Sequence, residues 1–130
     1  MRGERDRFPF HADRGRIDAG VEKKNGRKTG VIDLTQGELG TRGSVADRYE
    51  EAAAAAKILG LDIRENLRLP DGFFENNKDC QLLVITALRK YKPEIVLCNA
   101  PSDRHPDHGR SASLVADSCF LSGLQKIETT

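Results

Sequence analysis

Val31-Ile32-Asp33-Leu34-Thr35, closed by Gln36-Gly37, is the stretch that decides the fold. A short, largely apolar run with β-branched members that ends on glycine reads as a buried strand. Gly37, Gly40 and Gly43 then make a loop. Ser44 is placed to cap a helix, with Asp47 three residues on as a weak capping-box partner. Val45, Tyr49, Ala52, Ala56 and Leu59 recur at helical spacing, and Gly60 is a stop signal. The alanines at 52–56 permit close packing of this helix on a sheet and do not suggest a cofactor-binding segment.

Toward the C-terminus the alternation repeats. Residues 65–69 read as a short extended segment and Pro70-Asp71-Gly72 as a turn. Asn76 or Asn77 can cap a second helix whose apolar positions are Cys80, Val84, Ala87, Leu88 and Tyr91, with Pro93 closing it. Residues 94–98 read as another buried strand, and a third helix begins near Asp107 with Ala112, Val115 and Cys119 on one side. Apolar strands alternating with helices predict an α/β fold of Rossmann-like, three-layer type, with a mostly parallel sheet between helices. Ligands of such sheets bind beyond the carboxyl ends of the strands. The polar loops 35–44 and 99–108 follow the two clearest strands and should share that edge.

Upstream of Thr29 the character changes. Residues 1–28 hold nine Lys/Arg against five Asp/Glu and follow neither periodicity, which predicts an atypical, disordered segment ahead of a domain over 29–130. The whole chain has 130 residues, a net charge of +1 and 38% hydrophobic residues, so one modest globular domain is expected. That charge balance predicts no nucleic-acid partner. No apolar run approaches the roughly 18 residues of a membrane span, which predicts no membrane partner. Cys80, Cys98 and Cys119, odd in number and without C-x-x-C spacing, read as small buried hydrophobes in a reducing cytoplasm.

Two constellations carry chemistry. Arg104-His105-Pro106-Asp107-His108 places two histidines three apart at a loop-to-helix junction, where both can reach one point. Imidazole is a common zinc ligand, and a neighbouring carboxylate can orient it, although H-x-x-H also fits exposed loop histidines. The loop at 33–43, DLTQGELGTRG, allows close backbone approach, with Glu38 and Arg42 available to a polar ligand; an ordinary flexible loop is the alternative. It lacks the G-K-[ST] ending of a phosphate-binding loop. Arg48, one turn into the next helix, is either a solvated charge or a clamp beside that loop, and Asp71 reads first as a turn residue.

Taken in order, these segments resemble the PIG-L/LmbE-like deacetylases, with the nearest likeness to the bacterial branch acting on N-acetylglucosaminyl-malate in bacillithiol synthesis. The likeness runs through 32–43 (IDLTQGELGTRG), Arg48 and Glu51, 64–67 (RENL), 70–74 (PDGFF), 89–99 (RKYKPEIVLCN), 103–109 (DRHPDHG) and 119–123 (CFLSG). It implies a zinc-dependent hydrolysis of the acetamide on an amino-sugar conjugate, a small-molecule partner, and a homo-oligomer for the intact protein. It implies His108 as a zinc ligand, His105 as oxyanion stabiliser and proton carrier, and Asp107 as a supporting catalytic carboxylate. Arg48 and Asp71 are implied as substrate contacts.

The family opens with a strand ending in A-H-P-D-D, which supplies two further zinc ligands and the general base; this sequence has no such segment. His11-Ala12-Asp13 echoes it with different spacing and no strand recognisable before it. The expectation is therefore an incomplete domain, lacking the first strand and the family's C-terminal half. One ligand does not make a zinc site, and loss of the base removes a further factor of about 10²–10⁴. An inactive chain is expected, with a shifted reading frame as one origin of residues 1–20.

Overall fold

A computed structural model describes residues 10–11 and 26–129. Its described elements are β1 (Phe10–His11), β2 (Gly30–Thr35), α1 (Val45–Leu59), β3 (Ile63–Leu69), α2 (Lys78–Tyr91), β4 (Val96–Leu97) and α3 (Pro106–Ser122). The four strands form one sheet in the order β3-β2-β1-β4, and every neighbouring pair is parallel. The result is an α/β fold with a parallel sheet and three described helices.

The helix boundaries follow their caps. Ser44 Oγ accepts the Asp47 N–H at 3.1 Å while the Asp47 carboxylate accepts the Ser44 N–H at 2.9 Å, so the capping box is complete. Gly60 ends α1 at φ 65°, a backbone state that only glycine adopts without steric cost. Asn77 caps α2 through the Cys80 N–H at 2.9 Å. Pro106 opens α3 at a position where its missing N–H costs nothing.

Side-chain alternation divides the sheet into two faces. Ile32, Leu34, Ile63 and Leu67 pack toward a core of Leu69, Phe74, Cys80, Val84, Leu88 and Leu114, which joins the sheet to α2 and α3. Leu114 is fully buried at the α2–α3 seam. On the other face Arg64 holds Asp33 through two hydrogen bonds, 2.8 and 3.1 Å, and donates to the Ala52 carbonyl of α1. Helix α1 has no buried residue. Ala52, Ala55 and Ala56 of its alanine run are half-buried, and Ala52, Ala53 and Ala55 line a cleft on this side of the sheet.

Two further expectations are corrected. The sheet does contain a strand upstream of β2: Phe10 pairs with Gly30 and Val96, and His11 with Val31 and Leu97. The prediction of a missing first strand, and of no strand leading into His11-Ala12-Asp13, fails because a two-residue strand is shorter than any periodicity window. The disorder expected for the rest of 1–28 falls mainly on residues outside those described. Cys98 is exposed rather than buried, because it follows β4 at an open edge of the sheet; Cys80 is buried and Cys119 half-buried. Among the described residues, no helix is long and apolar enough to cross a membrane.

Candidate active site

Because all four strands run the same way, their carboxyl ends share one edge. The chain runs from β1 outward to β2 and β3 and then returns to β4 on the opposite side of β1. That reversal leaves a crevice between the loops after β2 and β4, where ligands of parallel sheets bind. A cleft of about 490 Å³ lies there, and Arg48, Asp71, His105, Asp107 and His108 all line it. The residues singled out from sequence, from Arg48 to His108, thus meet in one place.

The His105–His108 pair is built by the start of α3. His105 is the cap of that helix, and its Nδ1 accepts the Asp107 N–H at 3.1 Å. One turn on, the His108 ring stacks against it with centroids 4.8 Å apart and planes inclined by 19°. Asp103 serves both: its Oδ1 accepts the His105 N–H at 3.0 Å, and its Oδ2 lies 3.1 Å from His108 Nδ1. Sequence reasoning assigned Asp103 no role; its place two residues ahead of His105, where an Asx turn forms, was the available signal.

Asp107, expected to support the histidines, has its carboxylate turned elsewhere. Oδ2 accepts the Gly72 N–H at 2.8 Å and Oδ1 accepts Arg110 Nη1 at 3.1 Å, while the same Arg110 nitrogen donates to the Gly72 carbonyl at 2.7 Å. Asp107 is buried, so these bonds fix the turn at 70–72 to the head of α3. Its backbone N–H, not its side chain, touches a histidine.

Asp71 lies on that turn and ties it to the glycine loop. Its Oδ2 accepts the Leu39 N–H at 3.0 Å, and its own N–H donates to Glu38 Oε2 at 3.2 Å. Arg48 covers the loop from α1 and donates to the Arg42 carbonyl at 3.2 Å. A Cβ on Gly40 would stand 2.1 Å from Arg48 Nη2, so the absent side chain is what admits the guanidinium. Ser111 donates to Asn99 Oδ1 at 3.2 Å, placing a further amide on the cleft wall.

Zinc asks more of this donor set than it supplies. Among the described residues no group of three or more His, Cys, Asp or Glu side chains is placed to hold a metal ion. His105 spends Nδ1 on the helix cap, and the Asp107 and Asp71 carboxylates are engaged by backbone N–H groups. Zinc needs three or four protein ligands, so the described residues by themselves do not fit it.

The family model for PIG-L, described as GlcNAc-PI de-N-acetylase, matches residues 19–119, most of the chain. The chain belongs to the PIG-L family. A diacetylchitobiose deacetylase of Thermococcus kodakarensis is 29% identical over 98 residues, covering 73% of this chain and 37% of that protein. The crystal structure of the conserved protein TT1542 from Thermus thermophilus superposes with a TM-score of 0.86 at 35% identity, over 96% of this chain and 60% of that one. GalB, the 4-carboxy-2-hydroxymuconate hydratase of Pseudomonas putida KT2440, shares the fold at TM-score 0.77 and 22% identity, over 92% and 58% of the two chains. This PIG-L chain therefore spans between about a third and three fifths of the length of these relatives. The family is one of deacetylases, and GalB illustrates that the fold alone does not fix the reaction.

Proposed function

We propose that this chain is the sugar-gripping part of a Rossmann-like, three-layer N-deacetylase whose intact form hydrolyses the acetamide of an N-acetylglucosamine conjugate, GlcNAc-malate of the bacillithiol pathway being the leading candidate. The observation that carries the reading is the convergence of Arg48, Asp71, His105 and His108 on one cleft at the carboxyl edge of the sheet. Arg48 offers a planar, permanently charged fork for sugar hydroxyls or a carboxylate on the aglycone. Asp71 offers its second carboxylate oxygen beside it. His105, with Nδ1 occupied as an acceptor, has Nε2–H to donate to the acetamide oxygen as negative charge develops there. In the intact reaction the amide C–N bond breaks, and acetate and the free amino sugar leave.

Zinc, which the resemblance implies, is not routed through this site, because the described donors number too few. On this reading the described residues bind an N-acetylated sugar but do not by themselves hydrolyse it. The test is a titration of the ¹⁵N-labelled chain with N-acetylglucosaminyl-malate and with N-acetylglucosamine, alongside an assay of acetate release. Shifts confined to amides near Arg48, Asp71 and His105, with no acetate formed, are expected. Absence of any shift at millimolar ligand sinks the sugar-binding reading, and acetate release sinks the claim of inactivity.

A further inference from the structure

Strand β3 slips its register with β2 just before the turn that carries Asp71. Asp33 is paired with Asn66, but Thr35 is paired with Leu69, so two steps along β2 match three along β3. The surplus residue is taken up in a bulge, with Arg68 at φ 57°. Arginine does not favour that left-handed state, because its Cβ crowds the following carbonyl. The side chain of Asn66 holds it there. Asn66 Oδ1 accepts the Arg68 N–H at 2.8 Å, and Asn66 Nδ2 donates to the Thr35 carbonyl at 2.8 Å. One partner is a donor and the other an acceptor, so a single orientation of the amide satisfies both. Thr35 and Asn66 both line the cleft.

The bulge sets where the next residues fall. Leu69 comes level with Thr35 and is buried to 3% exposure. In an unbroken ladder Thr35 would face Arg68, and every later residue would lie one step, about 3.3 Å, further along the sheet. That displacement is more than a hydrogen bond can span. Three such bonds hold the turn at 70–72. Asp71 Oδ2 accepts the Leu39 N–H at 3.0 Å, Glu38 Oε2 accepts the Asp71 N–H at 3.2 Å, and Asp107 Oδ2 accepts the Gly72 N–H at 2.8 Å. All three depend on the residue that the bulge absorbs.

We propose that Asn66 is a positioning residue: by holding Arg68 in the left-handed state, its amide sets the Asp71 carboxylate against the glycine loop and into the cleft. The inference deepens the sugar-binding reading and rests on it for the effect on ligand; the bulge itself needs no ligand.

A double variant couples Asn66 to Arg68. In Asn66→Ala the acceptor is gone, so Arg68 relaxes to extended backbone and the turn moves. Glycine enters positive φ without steric cost, so with Arg68→Gly added the bulge no longer needs a side chain to hold it. The experiment is a set of ¹H–¹⁵N spectra of the full chain without ligand, reading the amides of Leu39, Asp71 and Gly72. These should move by several line widths in Asn66→Ala, keep their native positions in Arg68→Gly, and return to them when both substitutions are combined. Affinity for N-acetylglucosamine should fall about tenfold in Asn66→Ala, as for the loss of one hydrogen bond to a carboxylate, and recover in the double variant. Lost packing at Asn66 alone would not be recovered by removing a second side chain. Native amide positions in Asn66→Ala overturn the proposal, as does a double variant whose amides stay displaced. Should Asn66→Ala fail to fold, a folded double variant with native amide positions upholds the proposal and an unfolded one overturns it. A native chain that binds no sugar removes the sugar-binding reading, while the ligand-free spectra still decide the role of Asn66.

Discussion

Removing the Asp107 carboxylate should cost this domain stability well beyond an ordinary surface change. In Asp107→Ala the Gly72 N–H loses a charged acceptor at 2.8 Å in a part-buried site, a loss of about 1.5–3 kcal/mol. The first turn of α3 loses its acidic residue, about 0.3–1 kcal/mol through the helix dipole. Arg110 is 39% exposed on its side chain and regains water, so its ion pair adds no more than about 1 kcal/mol. The total of roughly 2–5 kcal/mol is a large share of the ~5–15 kcal/mol that holds a typical domain together. Asp107→Asn keeps one acceptor oxygen and should lose about half as much. Urea unfolding followed by circular dichroism measures both, with the midpoint falling in the order native, Asn, Ala at constant slope. An Ala variant within about 0.5 kcal/mol of the native chain refutes the assignment of Asp107 as the clasp between α3 and the turn at 70–72.

Three further outcomes are expected. Gly40→Ala should change stability by less than about 1 kcal/mol, since the new methyl meets mainly the flexible end of Arg48, yet weaken N-acetylglucosamine binding several-fold by pushing the guanidinium off the loop; NMR titration reads this. Arg68→Gly should stabilise by about 0.5–1 kcal/mol in thermal unfolding, because Arg68 holds φ at 57° in a bulge where a side chain is penalised. Hydrogen bonds from the Ser44 backbone and hydroxyl hold the Asp47 carboxyl below the usual carboxylate range. With the folded value depressed, the cap contributes above the unfolded value and is lost as pH falls through the folded one. Amide exchange at 45–48 should therefore accelerate on acidification, and Asp47→Asn should remove most of that dependence.

How much of this was legible depended on whether the signal was local. Ser44, Asp47 and Gly60 fixed α1 to the residue, and the alternative caps Asn76 and Asn77 placed the start of α2 to within one residue, the structure choosing Asn77, because caps and left-handed stops are matters of neighbouring atoms. The shared edge of loops 35–44 and 99–108 followed from strand direction alone. Partnerships across distant sequence were hidden. Nothing near Asp71 indicates that Leu39 and Glu38 will clasp it, and nothing near Asp107 names Gly72. The alanines of α1 carried helix propensity but no information on what they face. Asp103 was visible as a residue and mute as a partner, since its role depends on which nitrogen of His108 meets it. The strand at 10–11 is defined by its neighbours and not by its own two residues.

That strand has a consequence for the order of assembly. The segment from β2 through α1 to β3 closes over a short stretch of chain and can pair as soon as residue 69 has left the ribosome. β1 can pair with β2 once Val31 has been made, but its other flank is covered only when β4 follows and Leu97 comes to lie against His11. Closing so long a loop late is slow. Until it closes, β1 presents a bare flank, and a chaperone that shields this flank should raise the yield of folded protein more than any surface substitution.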